Sequence, residues 1–142
     1  MSYAAALSEH PVAAQAIGEV LGTVLETIGP GPDLACLFVT APHTGVMEDM
    51  AHAVQELLRP GAFVGATANA VLAGDHGVED TPGVALFAAS LDAPTVRGVV
   101  RLTAEQTLDG WVIDGLSPED AGAAATLLLL PDPFTFPIDP GN

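Results

Sequence analysis

The sequence predicts an α/β domain with a mostly parallel or mixed sheet flanked by helices. Three observations carry this expectation. "DLACLFV" (33–39) is an unbroken apolar run that stops at turn residues. Such a run suits a strand covered on both faces. "AFVGATA" (62–68) has the same strand character, and apolar residues at helical spacing both precede the first run and separate the two. Strands alternating with helices favour parallel pairing.

The first helix is read in "VAAQAIGEVLGTVLETIGPGP" (12–32), where Ile17, Val20, Leu21, Val24, Leu25 and Ile28 form one stripe. Ser8 is the expected cap, with Pro11 tolerated in the first turn. Gly29, Pro30, Gly31 and Pro32 end the helix. Gly18 and Gly22 each cost about 1 kcal/mol of helix propensity; close packing is the expected reason for them. After the strand at 33–39, "GVMEDMAHAVQELLRPG" (45–61) is helical, with Met47, Met50, Ala51, Val54, Leu57 and Leu58 on one face and Pro60–Gly61 as its stop.

Beyond "AFVGATA", residues 65–80 read as a loop, and "GVALFAASL" (83–91) as another strand. "RGVVRLT" (97–103) and "GWVID" (110–114) give shorter strand signals around the turn residues Leu108, Asp109 and Gly110. "SPEDAG" (117–122) is a helix start, with Ser117 as cap, Pro118 in the first position and Asp120 facing back. "ATLLLLPDPF" (125–134) is a last apolar run. With no repeat and no linker, residues 1–142 are expected to form one domain.

The composition narrows the function. The net charge is −15, from 18 acids against three arginines and no lysine. That surface repels phosphate backbones and anionic lipid, so neither nucleic acid nor a membrane is an expected partner. Mean hydropathy is +0.43, which rules out a disordered acidic tail. The lack of lysine, with abundant Ala, Gly, Pro and Val, suits a GC-rich bacterial genome. Cys36 is the single cysteine; it sits in an apolar run and behaves as a small hydrophobe. A reduced cytoplasm is the expected setting. The N-terminus lacks the basic region of a signal peptide, and no apolar run approaches membrane-spanning length.

Candidate site residues lie where the strands end. Thr40, His43, Thr44 and Gly45 follow the first strand and open the next helix. In open α/β sheets, ligands gather outside the carboxyl ends of the strands. The alternative is a capping Thr44 with His43 in a solvated loop. Gly65, Thr67 and Asn69 end the second strand and offer small or hydrogen-bonding groups. Neither a glycine-rich phosphate loop nor a Walker sequence is present. Asp75, His76, Glu79 and Asp80 match neither an EF-hand nor an HExxH spacing, so a solvated acidic loop is expected there and no metal. His10 and His52 carry no site signal. Ser90, His43 and Asp132 could in principle be assembled into a hydrolase, but no GxSxG supports that, and no catalytic role or cofactor is expected. "LPDPFTFP" (130–137) places Asp132 and Phe134 at the same edge, or else forms a stiff turn with Phe134 and Phe136 in the core.

Four stretches carry a family resemblance, in order along nearly the whole chain. They are "ALSEHPVAAQAIGEVLGTVL", "PDLACLFVTAPHTGVMEDMAHAVQELLRPGAFVGATANAVLAG", "EDTPGVALFAASL" and "LLLLPDPFTFPID". Together they resemble the N-terminal half of the FIST family, a sensory domain of bacteria, archaea and eukaryotes. The F-V-x-x-x-H turn, the G-A-T step and the DPFTFP end are the most telling parts. The resemblance implies small-ligand sensing, with amino acids or their derivatives as ligands, and no catalysis. By position it implicates Thr40, His43, Thr44, Gly65, Thr67, Asn69, Asp132 and Phe134. It implies as partners a C-terminal FIST half or a signalling module; a homodimer is the alternative, with an interaction or structural fragment as its role. FIST proteins usually continue into that second half, and this chain stops near the boundary.

Overall fold

A computed structural model gives the architecture; it describes residues 1–92, 101–115, 128 and 130. The chain divides into two compact units, 1–98 and 99–142. Expectations for "SPEDAG" and for nearly all of "ATLLLLPDPF", including Asp132 and Phe134, lie outside the described residues.

In the first unit, β1 (Ser2–Ser8), α1 (Ala13–Ile28) and β2 (Leu34–Val39) follow one another. A 3-10 turn (Ala41–Val46) leads into α2 (Met47–Ala53), which runs on as a π turn (Val54–Leu58). Next come β3 (Ala62–Thr67), the hairpin of β4 (Ala70–Ala73) and β5 (His76–Glu79), and β6 (Val84–Ser90). The main sheet has the order β1-β6-β2-β3. It is mixed: β2 and β3 pair in parallel, while β6 is antiparallel to both β1 and β2. β1, β2 and β3 therefore point the same way, with β6 inserted against them. The α/β expectation holds in its mixed form.

One face of the sheet carries the core. Ala4 and Ala6, Ala35, Leu37 and Val39, and Val84, Leu86 and Ala88 point inward from three strands. They pack against Ala16, Ile17, Val20, Leu21 and Val24 of α1 and against Met50, Val54 and Leu58 of the second helical segment. Small residues on the strands let α1 lie close. On the other face, Val71 and Val78 of the β4–β5 hairpin cover Ala85, Leu7 and Phe38.

Several local expectations change. Residues 70–79 form a hairpin, with Gly74 at φ 64° in its turn, where a loop was expected. β1 is a strand where the sequence showed none. Ser8 ends that strand instead of capping α1. Its hydroxyl bonds the Glu19 carboxylate and accepts the His10 N–H at 3.1 Å. α1 starts after Val12, whose N–H is taken by His10 Nδ1 at 3.0 Å. Gly18 and Gly22 face open space, with nothing within 4 Å of a Cβ at either position, so packing does not explain them. Leu57 is 56 % exposed because the π turn rotates it off the buried stripe, which continues through Leu58.

The second unit contains an antiparallel hairpin, β7 (Thr103–Thr107) and β8 (Gly110–Asp114). The turn at Leu108–Asp109 is where the sequence puts it, and "GWVID" is β8. β7 lies later than "RGVVRLT" because a two-residue turn makes Thr107 the partner of Gly110. Residues 97–100 of that segment lie outside the described residues.

Candidate functional site

The ends of β1, β2 and β3 form one row with the start of β6. Ser8 pairs with Val84, Val84 with Val39, and Val39 with Thr67. At about 4.8 Å per strand this row is about 14 Å wide. The Ala68 N–H donates to the Val39 carbonyl at 2.9 Å and extends the β2–β3 ladder one step beyond Thr67. The turns after Val39 and Thr67 thus leave the sheet together.

The side chains at this edge divide into two groups. Thr40 and His43 point inward, 1 % and 2 % exposed. The Thr40 hydroxyl donates to the Thr81 carbonyl at 2.7 Å, and its N–H to the Gly83 carbonyl at 3.0 Å. His43 Nε2 lies 3.1 Å from the His10 carbonyl. A carbonyl only accepts, so Nε2 carries the proton. Its own N–H closes the 3-10 turn on Thr40 O at 3.0 Å. These two side chains tie the β2 tip to the loops before α1 and β6. A buried polar group needs such partners.

Two open recesses flank the tip. The larger, about 420 Å³, lies between α2 and the helix-facing side of β3. Thr44, Glu48 and Thr67 supply its polar groups; Met47, Ala51 and Phe63 supply apolar surface, and Gly65 its base. Gly65 leaves room for Met47, whose Cε would stand 3.1 Å from a Cβ at that position. The smaller recess, about 310 Å³, is bordered by Thr40, Ala41, Pro42, Asn69 and Asp80. Asp80 adopts φ 58°, a left-handed conformation that Asp tolerates better than most residues.

The sequence-derived residues are therefore distributed as follows. Thr44, Gly65 and Thr67 meet in the larger recess, Thr40 and Asn69 border the smaller, and His43 lies under the tip between protein groups. Sequence reasoning did not assign Met47, Glu48, Ala51 and Phe63 to the site, or Asp80. A signal existed for three of them: Met47, Glu48 and Ala51 follow Thr44 at one-turn intervals along the same helical segment.

The arrangement also bears on catalysis and metal. Ser90 pairs with Ser2 at the far end of β6. Six strand residues, about 20 Å, separate that end from the His43 edge, so His43 and Ser90 form no catalytic pair. His76 lies on β5 and its Nε2 is 2.8 Å from a Glu9 carboxylate oxygen, an exposed contact. No cluster of three or more His, Cys, Asp or Glu side chains suited to a metal occurs among the described residues. On the outer face of the sheet, burial pushes the Cys36 thiol above its ordinary pKa. No helix among the described residues is long and apolar enough to cross a membrane.

Comparison with known proteins follows the same segments. A family model described as the FIST N domain matches residues 33–140. An uncharacterized protein of Mycobacterium bovis and one of Mycobacterium tuberculosis are each 39 % identical over 129 residues, covering 89 % of this chain and 32 % of theirs. A second uncharacterized Mycobacterium tuberculosis protein is 34 % identical over 132 residues, covering 92 % of this chain and 33 % of its own. The chain spans about a third of the length of these relatives. No solved structure matches.

Proposed function

The chain belongs to the FIST N domain family, and from that premise we propose that it is a small-ligand-binding sensory module of signal transduction, not an enzyme. The ligand in this reading is an amino acid or a related metabolite, held at the carboxyl edge of the sheet. The supporting observation is the convergence of the β2 and β3 ends on an open recess with both hydroxyl and apolar lining. Apolar surface with a few placed polar groups is the usual make-up of a small-molecule site. A C-terminal FIST half or a signalling module would read the bound state, in the cytoplasm.

The test is a thermal-shift screen of amino acids and their derivatives. A ligand present at about 100 times its Kd stabilises by about 2.7 kcal/mol. Ala51→Leu, which fills the recess from α2 with a good helix former, should remove the shift while leaving a cooperative melt. A flat screen on folded protein, repeated with a C-terminal FIST half supplied in trans, sinks the reading.

A second reading rests on the outer face of the sheet. Tyr3 and Phe87 stand there on neighbouring strands, 68 % and 37 % exposed. An interaction fragment would use this apolar surface for self-association or for another FIST half. Light scattering that shows a strict monomer, with no binding of the C-terminal half, removes it.

A further inference from the structure

Resting on the reading of the larger recess as a small-ligand site, and narrowing its ligand from amino acids to related metabolites that have lost the carboxylate, we infer that this ligand carries an amine and no carboxylate, on a short apolar body. Glu48 is the one charged group bordering the recess, and no basic side chain borders it among the described residues. Thr44 and Thr67 are exposed and open to a ligand. Their oxygens can accept, as the Glu48 carboxylate does, and an ammonium group offers three donors to share among them. A ligand carboxylate would meet Glu48 with no counter-charge. The short helix behind the recess does not compensate, since Glu48 and Asp49 already occupy its first turn. The chain's net charge of −15 adds a field that draws cations and repels anions. Met47, Ala51 and Phe63 offer the ligand's carbon body an apolar surface.

A matched ligand trio separates the possibilities: 3-methylbutylamine, leucine and 3-methylbutanoic acid share a branched body and differ in charge. Each is titrated into isotope-labelled protein and followed by the amide signals of Thr44, Ala51 and Thr67. The amine is expected to shift these signals with an affinity at least about tenfold above leucine or the acid. Glu48→Gln should weaken the amine about fivefold, the upper range for an exposed ion pair. Asp49→Asn removes the same charge one residue away, outside the recess lining, and should change affinity by less than about twofold. Leucine or the acid binding as tightly as the amine overturns the inference, as does indifference to Glu48→Gln. If another small molecule saturates these signals while the amine does not, the ligand class falls and the small-ligand reading stands. If no small molecule moves them, both fall.

Discussion

Gly65 rests directly against Leu37: a Cβ at position 65 would lie 2.7 Å from the Leu37 carbonyl oxygen. The two residues are partners in the parallel β2–β3 register. The obstructing atom is backbone in a hydrogen-bonded strand, which cannot rotate aside. Gly65→Ala should therefore lower unfolding free energy by about 1–3 kcal/mol. Urea denaturation measures it; an unchanged midpoint would mean that β3 does not approach β2 this closely.

Gly18 presents the opposite case. It lies in the interior of α1, exposed, with nothing within 4 Å of an added Cβ. Gly18→Ala should stabilise by about 1 kcal/mol through helix propensity alone, and Gly22→Ala by a similar amount. A calorimetric melt should show the transition rising by several degrees, about 4 °C per kcal/mol at this size. A fall in melting temperature would reveal a neighbour on that face of α1.

The buried His43 ring joins the β2 tip to the segment before α1. His43→Ala removes the donor to the His10 carbonyl and leaves that oxygen without its partner. The expected loss is about 1–3 kcal/mol for the unsatisfied group, with a further loss from the vacated volume. Hydrogen exchange should quicken at residues 40–46 and 10–12 together. If only one of the two segments loosens, the ring does not couple them.

Cys36 predicts a pH dependence. Its folded pKa is raised above the ordinary 9.0 by burial, so the folded state holds the thiol proton more tightly than the unfolded chain does. This contribution is constant below the unfolded pKa and is lost as pH rises from there through the folded value. Stability of the wild type should thus decline above about pH 9 more steeply than that of Cys36→Ala. Guanidinium titrations at pH 7, 9 and 10 compare the two; parallel profiles would place the thiol in water. Slow alkylation of the native protein should accompany the effect.

Much of the fold is legible in the sequence, for identifiable reasons. α1 shows in the spacing of Ile17, Val20, Leu21 and Val24, and these residues are buried. β2 and β6 show as apolar runs because strands in the middle of a covered sheet need little alternation, while β3, at the sheet's edge, shows through the apolar stretch Ala62–Val64 that opens it. β1 escapes notice because alanine fills both of its faces at positions 4, 5 and 6, and alanine has little strand preference. The β4–β5 hairpin escapes because its cross-strand pair, Val71 and Val78, is surrounded by Asn69, Asp75, His76 and Glu79, which face water. Leu57 is misplaced by strict helical spacing because a π turn shifts the register by one residue.

The candidate site divides along similar lines. Its location at the strand ends follows from chain direction alone, which two apolar runs separated by a helix suffice to suggest. The separate fates of Thr40 and Thr44 do not follow from that, because they depend on which side of the tip each side chain takes. Thr40 turns toward the Thr81 carbonyl, 41 residues onward, a contact without a local signature. Glu48 reads from sequence as a helix-dipole acid, and its place on the wall of the recess emerges only once β3 lies beside α2.

The insertion of β6 between β1 and β2 bears on how the chain is made. Synthesis proceeds from the N-terminus, so β1, β2 and β3 all leave the ribosome before Val84 does. Until residues 84–90 emerge, β1 has no ladder partner among the described strands, and the alanine-lined face beneath α1 stays incomplete. A nascent polypeptide ending at Asp80 would hold the parallel β2–β3 pair without the strand that unites the sheet. Closure is thus a late, long-range event, of the kind that slows folding, and it leaves emerging protein open to chaperone capture until β6, the sixth strand of the first unit, has cleared the exit tunnel.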